Sequence, residues 1–498
     1  MTLHSESIVQ ILVTKSPFDY AHPWQKKATT TSSGSGAIVA ANRILTNAHV
    51  VSDGTFIKIR RAGTSAKYKA TVEFISHDAD LALLKVEDDS FFAGTIPLEF
   101  SPLPEIGDQV TAYGFPMGGS KITLTEGIVS RIDFIVYAHA WKWNLVCQTD
   151  AAISKGISGG PVLSSDDKIV GIAFQNNASD KNIGYIIPTQ VIQQFIDDTK
   201  DGKVHGLPVL PCNGSHLENS QIREFYKMTS AMSGVRLSDI APPRFQKAGL
   251  ILPGDILLAI DGHDIANDGT IELRPRERIS LLYTLVNKQL GDIVKLDLLR
   301  EGKVITRSLK LDVSKSGRYL VPPMEFGAVP SYYIIAGYVF SPLTANYCRQ
   351  SGNTELRKYL TELIAPANQH RKEVIVLIDT YHDDINDGFS FKNEIVSSVN
   401  GKKISAMGDL VAAFEENQEK FHLIQFETTT SEIAIHRQTA TDKSQSILEK
   451  YRIPKDRSED LPQKESILSS PSNLADCYPN KGNVNTKCRG GRETNSLY

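Results

Sequence analysis

From Ile8 to about Ile196 apolar residues come in short β-branched runs: SGAIVA, RILTNAHVV, FIKIRR, DLALLKVE, QVTAYGFP, LTEGIVSRI, KIVGIAF and IGYIIP. Gly, Pro, Asn and Asp break the runs, so this stretch predicts many short strands joined by turns, an all-β barrel or sandwich. Ile8 to Val13 reads as its first strand. At Thr189 to Thr199 the period changes, with Val191, Ile192, Phe195 and Ile196 at helical spacing, and a helix is predicted to close the domain. The polar Gly/Pro stretch Asp201–Pro211 reads as a linker.

Beyond the linker the pattern is that of a small α+β module at 207–315, with strands around LILPGDILLAIDGHDI and VKLDLLREGKVITRSLKL and a helix near Arg278 to Leu290. Similar elements recur in similar order at 318–430. EIVSSVNGKKI answers DILLAIDGHDI, Tyr332 to Val339 is strand-rich, and Met407 to Asn417 has helical spacing. A helical extension is predicted over 431–454, its helix at Ser444 to Tyr451. From Lys455 the chain is polar and poor in aromatics, so 455–498 is predicted to be a disordered tail. The domain divisions are thus 1–200, 207–315, 318–430, 431–454 and 455–498.

A length of 498 residues suits about three domains, and 54 basic against 57 acidic side chains leave a formal charge of −3. No overall field draws such a chain to nucleic acid or to anionic membrane. Arg274, Arg276 and Arg278 are interleaved with Glu272 and Glu277 and read as a solvated helix start. No run reaches the roughly 18 apolar residues of a spanning helix. MTLHSESIVQILVTK has no signal-peptide pattern, which predicts a cytoplasmic protein, or one exported or delivered to another cell through its C-terminal tail. Cys147, Cys212, Cys348, Cys477 and Cys488 form no CxxC pair and no ligand-spaced cluster with histidine, so no metal and no cofactor is expected.

Candidate chemistry lies in Gly156-Ile157-Ser158-Gly159-Gly160-Pro161, a tight loop between two strands. Its glycines let backbone N–H groups turn toward a developing oxyanion and let substrate approach closely. A serine hydroxyl needs a base, and the base needs an acid to hold its tautomer. His49 in LTNAHVV and Asp80 opening DLALLKV stand upstream in the His, Asp, Ser order of chymotrypsin-type barrels.

GSGAIVAANRILTNAHVV, DLALLKV, QTDAAISKGISGGPVL and NIGYIIP resemble the catalytic segments of the HtrA/Deg serine proteases. SPFDYAHPWQKK, LLAIDGHDIANDGT, REGKVITRSLKL, PSYYIIAGYVFSPL and RIPKDRSEDL are similar to the plant-type members, which carry one protease and two PDZ domains. The resemblance spans about Ser5 to Leu461. It implies a mostly β fold, a chymotrypsin-like double barrel followed by two PDZ domains. His49 would be the general base, Asp80 its orienting acid and Ser158 the nucleophile, with the N–H groups of Gly156 and Ser158 as oxyanion hole. The implied activity is an endopeptidase acting on misfolded or specific protein substrates. No Walker motif is present to supply an ATPase.

Pocket walls are expected from Ile153, Ser154, Ala173 and Ile186, small or apolar, which predicts a small aliphatic P1 residue. In the first PDZ domain, Ser233, Gly234 and Val235 of MSGVRL are the expected peptide-binding loop. IAGYVF in the second is apolar enough to be buried, which points to assembly, a trimer or hexamer by resemblance. Ile157 stands where the family usually has Asn. An apolar side chain cannot make that polar contact, which opens the alternative of a proteolytically weak chaperone or peptide-binding scaffold.

Overall fold

The computed structural model describes residues 3–117, 119–176, 183–314, 320–321, 324–354, 356, 371–427 and 429–463. Strands β1 (Ile8–Lys15), β2 (Thr30–Ala40), β3 (Arg43–Thr46), β4 (Gly54–Arg61), β5 (Tyr68–Ser76) and β6 (Leu81–Val86) close into a barrel in the order β1-β2-β3-β6-β5-β4. The alternation seen in the sequence is the alternation of burial: in β4, Ile57 and Ile59 point inward while Phe56 and Lys58 are exposed. A second closed barrel, ordered β10-β11-β12-β9-β8-β7, is built from β7 (Gln109–Gly114), β8 (Thr123–Tyr137), β9 (Lys142–Thr149), β10 (Pro161–Ser164), β11 (Ile169–Asn176) and β12 (Gly184–Pro188). Closure leaves neither barrel with a free edge. Helix α1 (Thr189–Asp198) then packs Val191, Ile192 and Phe195 into the core of the second barrel.

The next module is a six-stranded sheet of β13 (Asn213–Ser215), β14 (Val235–Ser238), β15 (Ile256–Ile260), β16 (His263–Asp264), β19 (Ile293–Arg300) and β20 (Lys303–Lys310), with a separate hairpin of β17 (Thr270–Arg274) and β18 (Glu277–Ser280). That hairpin corrects the helix expected near Arg278 to Leu290. Ile271 faces Ile279 across it, both buried, and Arg276 at the turn has a φ of 69°. The period is 2 here, and only Leu281–Leu285 coils, as a 3-10 turn. The three arginines therefore belong to a hairpin, and Arg274 donates to the carbonyls of Leu103 and Pro104 on the second barrel. Gln194 of α1 adds a further tie, donating to the carbonyls of Leu285 and Lys288.

The last module is a seven-stranded sheet of β21 (Tyr333–Ile335), β22 (Tyr338–Pro342), β23 (Ile375–Thr380), β24 (Glu394–Val399), β25 (Lys402–Lys403), β26 (Phe421–Phe426) and β27 (Glu432–His436), with α2 (Ala345–Ser351), α3 (Met407–Glu415) and α4 (Arg437–Lys450). Strand β27 lies in the stretch expected to be a helical extension, and α4 begins seven residues before the expected Ser444. Tyr338, Val339 and Phe340 are buried in β22, which is held between β21 and β23; Tyr338 and Phe340 belong to the module's own core, whereas Val339 lies in an apolar cluster shared with Tyr20 of the N-terminal domain.

The expected tail is likewise shortened. Ile334 N–H donates to Asp456 O at 2.7 Å and Ser458 N–H to Tyr332 O at 3.0 Å, so residues 456–458 extend the sheet beside β21. Arg457 is 1% exposed, paired with Glu415 of α3 at 2.7 Å, and Leu461 joins the module's apolar core. Residues 455–461 are thus packed structure, and an unpaired charge at Arg457 would be too costly to bury without Glu415 and Asp456. Residues up to Leu461 form one unit, and 464–498 lie outside the described residues.

Candidate active site

His49 sits on a helical turn, Ala48–Val51, that follows β3, and Asp80 immediately precedes β6, the strand paired with β3. Pairing of β3 with β6 thereby brings the two side chains together. Asp80 Oδ2 meets His49 Nδ1 at 2.7 Å, and its Oδ1 accepts from the backbone N–H of His49 at 2.8 Å. Asp80 is 1% exposed with φ of 53°, a left-handed conformation that aspartate tolerates better than most residues, and Asn47 Nδ2 holds its carbonyl at 3.0 Å. Burial pushes the Asp80 carboxyl up, but the adjacent His49, by charge and by both hydrogen bonds, outweighs it and holds the group below the usual carboxylate range. Lys15, at the end of β1, donates to the His49 carbonyl at 2.7 Å.

Ser158 lies on the loop before β10 and shares a cleft of about 710 Å³ with His49, Gly156, Lys155, Met117 and Phe56. Its Oγ donates to Phe174 O at 3.2 Å, and among the described residues it makes no bond to His49. With Nδ1 taken by Asp80, the other ring nitrogen of His49 is the one left to face the cleft.

The loop is held from the other barrel. Ser35 of β2 donates through Oγ to Gly156 O at 2.7 Å, accepts from Phe115 N–H at 2.8 Å, and donates its own N–H to Ser158 O at 2.9 Å. Its carbonyl accepts from Thr46 Oγ1 at 2.7 Å, so every polar group of this fully buried serine is engaged. On the other side of the loop, Lys155 O accepts from Met117 N–H at 2.9 Å. Carbonyl and N–H of one trans peptide point opposite ways, so this bond turns Gly156 N–H away from Met117. Among the described residues the N–H groups of Gly156 and Ser158 have no acceptor. Gly156 adopts φ of 98°, and a Cβ there would stand 2.5 Å from Met117 N and from Phe115 O. Glycine is required at this position on both counts.

Ile157 points away from the cleft. It is 1% exposed and belongs to the barrel core with Leu45, Ala112 and Leu163.

The expected pocket walls are placed differently. Ile153, Ala173 and Ile186 are buried in the same core, Ser154 is exposed, and none of the four lines the cleft. Ser233 and Gly234 also depart from expectation, whereas Val235 lines a groove. Strand β14 is flanked by β13 and β15, so it has no free edge to which a peptide could add. Gly234 N–H is taken by Asn267 Oδ1 and Ser233 Oγ by Ile265 O. That groove, of about 510 Å³, lies between Leu207–Leu210 and Ser280–Val286 with Val235 and Leu237 of β14 in its lining, and is bordered by Trp141 and Trp143 of the second barrel.

Ser35, Lys15 and Phe174 were not found from the sequence, since no local pattern reports a bond made between segments distant along the chain. Among the described residues no group of three His, Cys, Asp or Glu is arranged to hold a metal, and no helix is long and apolar enough to cross a membrane.

The chain matches the trypsin-like peptidase domain over residues 34–172 and a PDZ domain over 321–460. It is 36% identical over 457 residues to Protease Do-like 4, mitochondrial, of Arabidopsis thaliana, covering 90% of this chain and 84% of the relative. To Protease Do-like 2, chloroplastic, of the same organism it is 34% identical over 462 residues, 91% of this chain and 75% of the relative. Among solved structures, HtrA-type protease AlgW with tripeptide is similar at 22% identity, with a TM-score of 0.49, over 62% of this chain and 94% of that one.

Proposed function

Because the chain belongs to the Do-like, or Deg/HtrA, family of serine endopeptidases, we propose that it cleaves unfolded or specific protein substrates without ATP, using Ser158, His49 and Asp80 as its catalytic groups. The observation that carries this reading is the 2.7 Å bond between His49 Nδ1 and Asp80 Oδ2 at the edge of a cleft that also holds Ser158. Asp80 fixes the imidazole so that Nε2 can take the hydroxyl proton, and it stabilises the imidazolium that results. Ser158 first turns its Oγ from Phe174 O toward His49. The oxygen of the tetrahedral intermediate is received by the free N–H groups of Gly156 and Ser158. His49 then gives the proton to the leaving amine as the peptide C–N bond breaks, and water, deprotonated by the same imidazole, displaces Ser158 Oγ from the acyl group, the proton returning to Oγ.

Burial of Ile157 removes the ground for reading the chain as a weak scaffold, since its side chain packs the core and leaves the backbone donors untouched. Turnover of unfolded casein by the wild type and by Ser158→Ala tests the proposal; equal rates would refute it.

For substrate capture we favour the groove between Leu207–Leu210 and Ser280–Val286, to which Val235 contributes while Ser233 and Gly234 do not, and we read the first module as a second PDZ domain. Leu281, Leu282 and Leu285 supply its apolar wall. In the last module the site beside β21 is already filled by residues 456–458, which favours an assembly role for it. A trimer or hexamer would sediment at three or six times 54.9 kDa; a monomer mass would overturn that part. The cytoplasmic expectation draws no support from the relatives above, named mitochondrial and chloroplastic; fractionation of cells expressing the full gene decides it.

A further inference from the structure

Behind the Asp80–His49 pair lies a second pair of histidines that the reaction does not use. His77, in the loop between β5 and β6, and His139, in the turn between β8 and β9, share one hydrogen bond, His77 Nδ1 to His139 Nε2, at 2.9 Å. One ring must donate and the other accept, so the bond exists only while the pair carries no more than one extra proton. The ring of His139 stands 6.1 Å from that of His49.

A residue from far along the chain covers the pair. Phe326 stacks on His139 at 3.9 Å between ring centroids with 21° between planes, and on His77 at 4.6 Å with 26°. Its segment joins the two C-terminal modules and is fastened at both sides. Gly327 N–H donates to Asp53 Oδ1 of the first barrel at 2.9 Å, and Asn346 of α2 accepts from Glu325 N–H at 2.8 Å while donating to Glu325 O at 2.7 Å.

Resting on the catalytic assignment above, we infer that Phe326 is a positioning residue for the reaction: by covering the partly exposed His77–His139 pair it keeps the pair neutral, so that Asp80 serves His49 alone. The charged and titratable groups facing His139 are Asp80, His77, His49 and Lys15, and those facing His77 are Asp80, Asp78 and Asp53. Asp78 is itself neutralised by Lys142 at 2.8 Å. Asp80 is therefore the anion that a protonated His139 would draw on. A cation at His139 would compete for the carboxylate that orients His49 and would repel the imidazolium formed during turnover. Burial pushes His139 down to about 3, in keeping with a pair that stays neutral under Phe326.

The test is the pH profile of kcat/KM from pH 5 to 9 on a quenched peptide substrate, with Ser158→Ala as blank. Removing the cover in Phe326→Ala returns His139 toward the ordinary histidine value of about 6.5. Activity near pH 8 should stay within about threefold of wild type. Between pH 8 and 5.5 the variant should lose about tenfold more than wild type, its acid limb steepening from one proton toward two. Phe326→Leu, which keeps an apolar cover, should restore the wild-type shape, and so should adding His139→Gln to Phe326→Ala. Asn346→Ala frees the segment without touching the rings and should steepen the limb in the same way should Phe326→Ala fail to fold. Turnover in wild type with superimposable or uniformly lowered profiles in the variants refutes the inference alone. Wild-type turnover no different from Ser158→Ala refutes the site assignment and the inference with it.

Discussion

Replacing Ile157 by the asparagine usual in its relatives should damage this protein. The side chain is 1% exposed and belongs to the core that also holds Leu45, Ala112 and Leu163, while the Cβ that Gly114 lacks would fall 2.9 Å from the Ile157 Cα, so the backbone there has no room to retreat. Taking a fully buried isoleucine out of the core forfeits about 1.5–3 kcal/mol. An amide left in its place without a partner adds about 1–3 kcal/mol. Together the loss is about 2.5–6 kcal/mol, a large share of the roughly 5–15 kcal/mol by which a domain is stable. Ile157→Val, which deletes one methylene, should cost only about 0.5–1.5 kcal/mol. Urea unfolding of the three proteins, followed by tryptophan fluorescence and paired with casein turnover at 25 °C, measures both consequences. The order of stability should be wild type, Val, Asn, with turnover in the Val variant near wild type. An Asn variant as stable as wild type and faster on casein would refute the reasoning, because it would mean that position 157 is limited by a missing polar contact rather than by packing.

Three further outcomes follow from the same geometry. Ser35→Ala leaves Gly156 O and Phe115 N–H without their partner in a buried site, at about 1–3 kcal/mol for each group; thermal melting should show that loss, and kcat should fall with KM little changed, whereas an unaltered kcat would dissociate Ser35 from the loop. Asp80→Asn removes the charge that orients His49 and should lower kcat about 10⁴-fold; retention of a tenth of wild-type turnover would contradict its role. Burial pushes His139 down to about 3 and His422 down to about 4, so the unfolded chain binds these protons more readily than the fold. Stability from the two neutral rings is then fully present above about pH 6.5 and is lost as pH falls toward about 4 for His422 and about 3 for His139, at up to about 1.4 kcal/mol per pH unit for each group. Melting temperature against pH should flatten over this window in His139→Gln and in His422→Gln, and a slope equal to wild type would count against the assignment.

Much of the protease was legible because its signals are local. Alternating burial in strands such as β4 shows as alternating residue types, and LTNAHVV, DLALLKV and GISGGP each carry their chemistry in a few consecutive positions. What the sequence hid was long-range. Nothing near Ser35 announces that it spans to Phe115, Gly156 and Ser158, and nothing near Phe326 points to His77 and His139. The β17–β18 hairpin was misread because its charged residues obscure the Ile271–Ile279 pairing, and Pro275-Arg276 as a turn is a weaker mark than a glycine. Residues 455–461 looked disordered from composition, yet one arginine with two carboxylate partners anchors them. The peptide loop was sought at Gly234 because a glycine beside an apolar run fits that need, whereas strand order decides which edge is free.

The central claim is that Ser158 is a nucleophile activated by His49 and Asp80, and reaction with a fluorophosphonate probe tests it most directly. Mass mapping of the wild type should place one adduct on Ser158, with none in Ser158→Ala and labelling slowed at least about 10³-fold in His49→Ala. An adduct on another residue, or equal labelling in Ser158→Ala, would contradict the account.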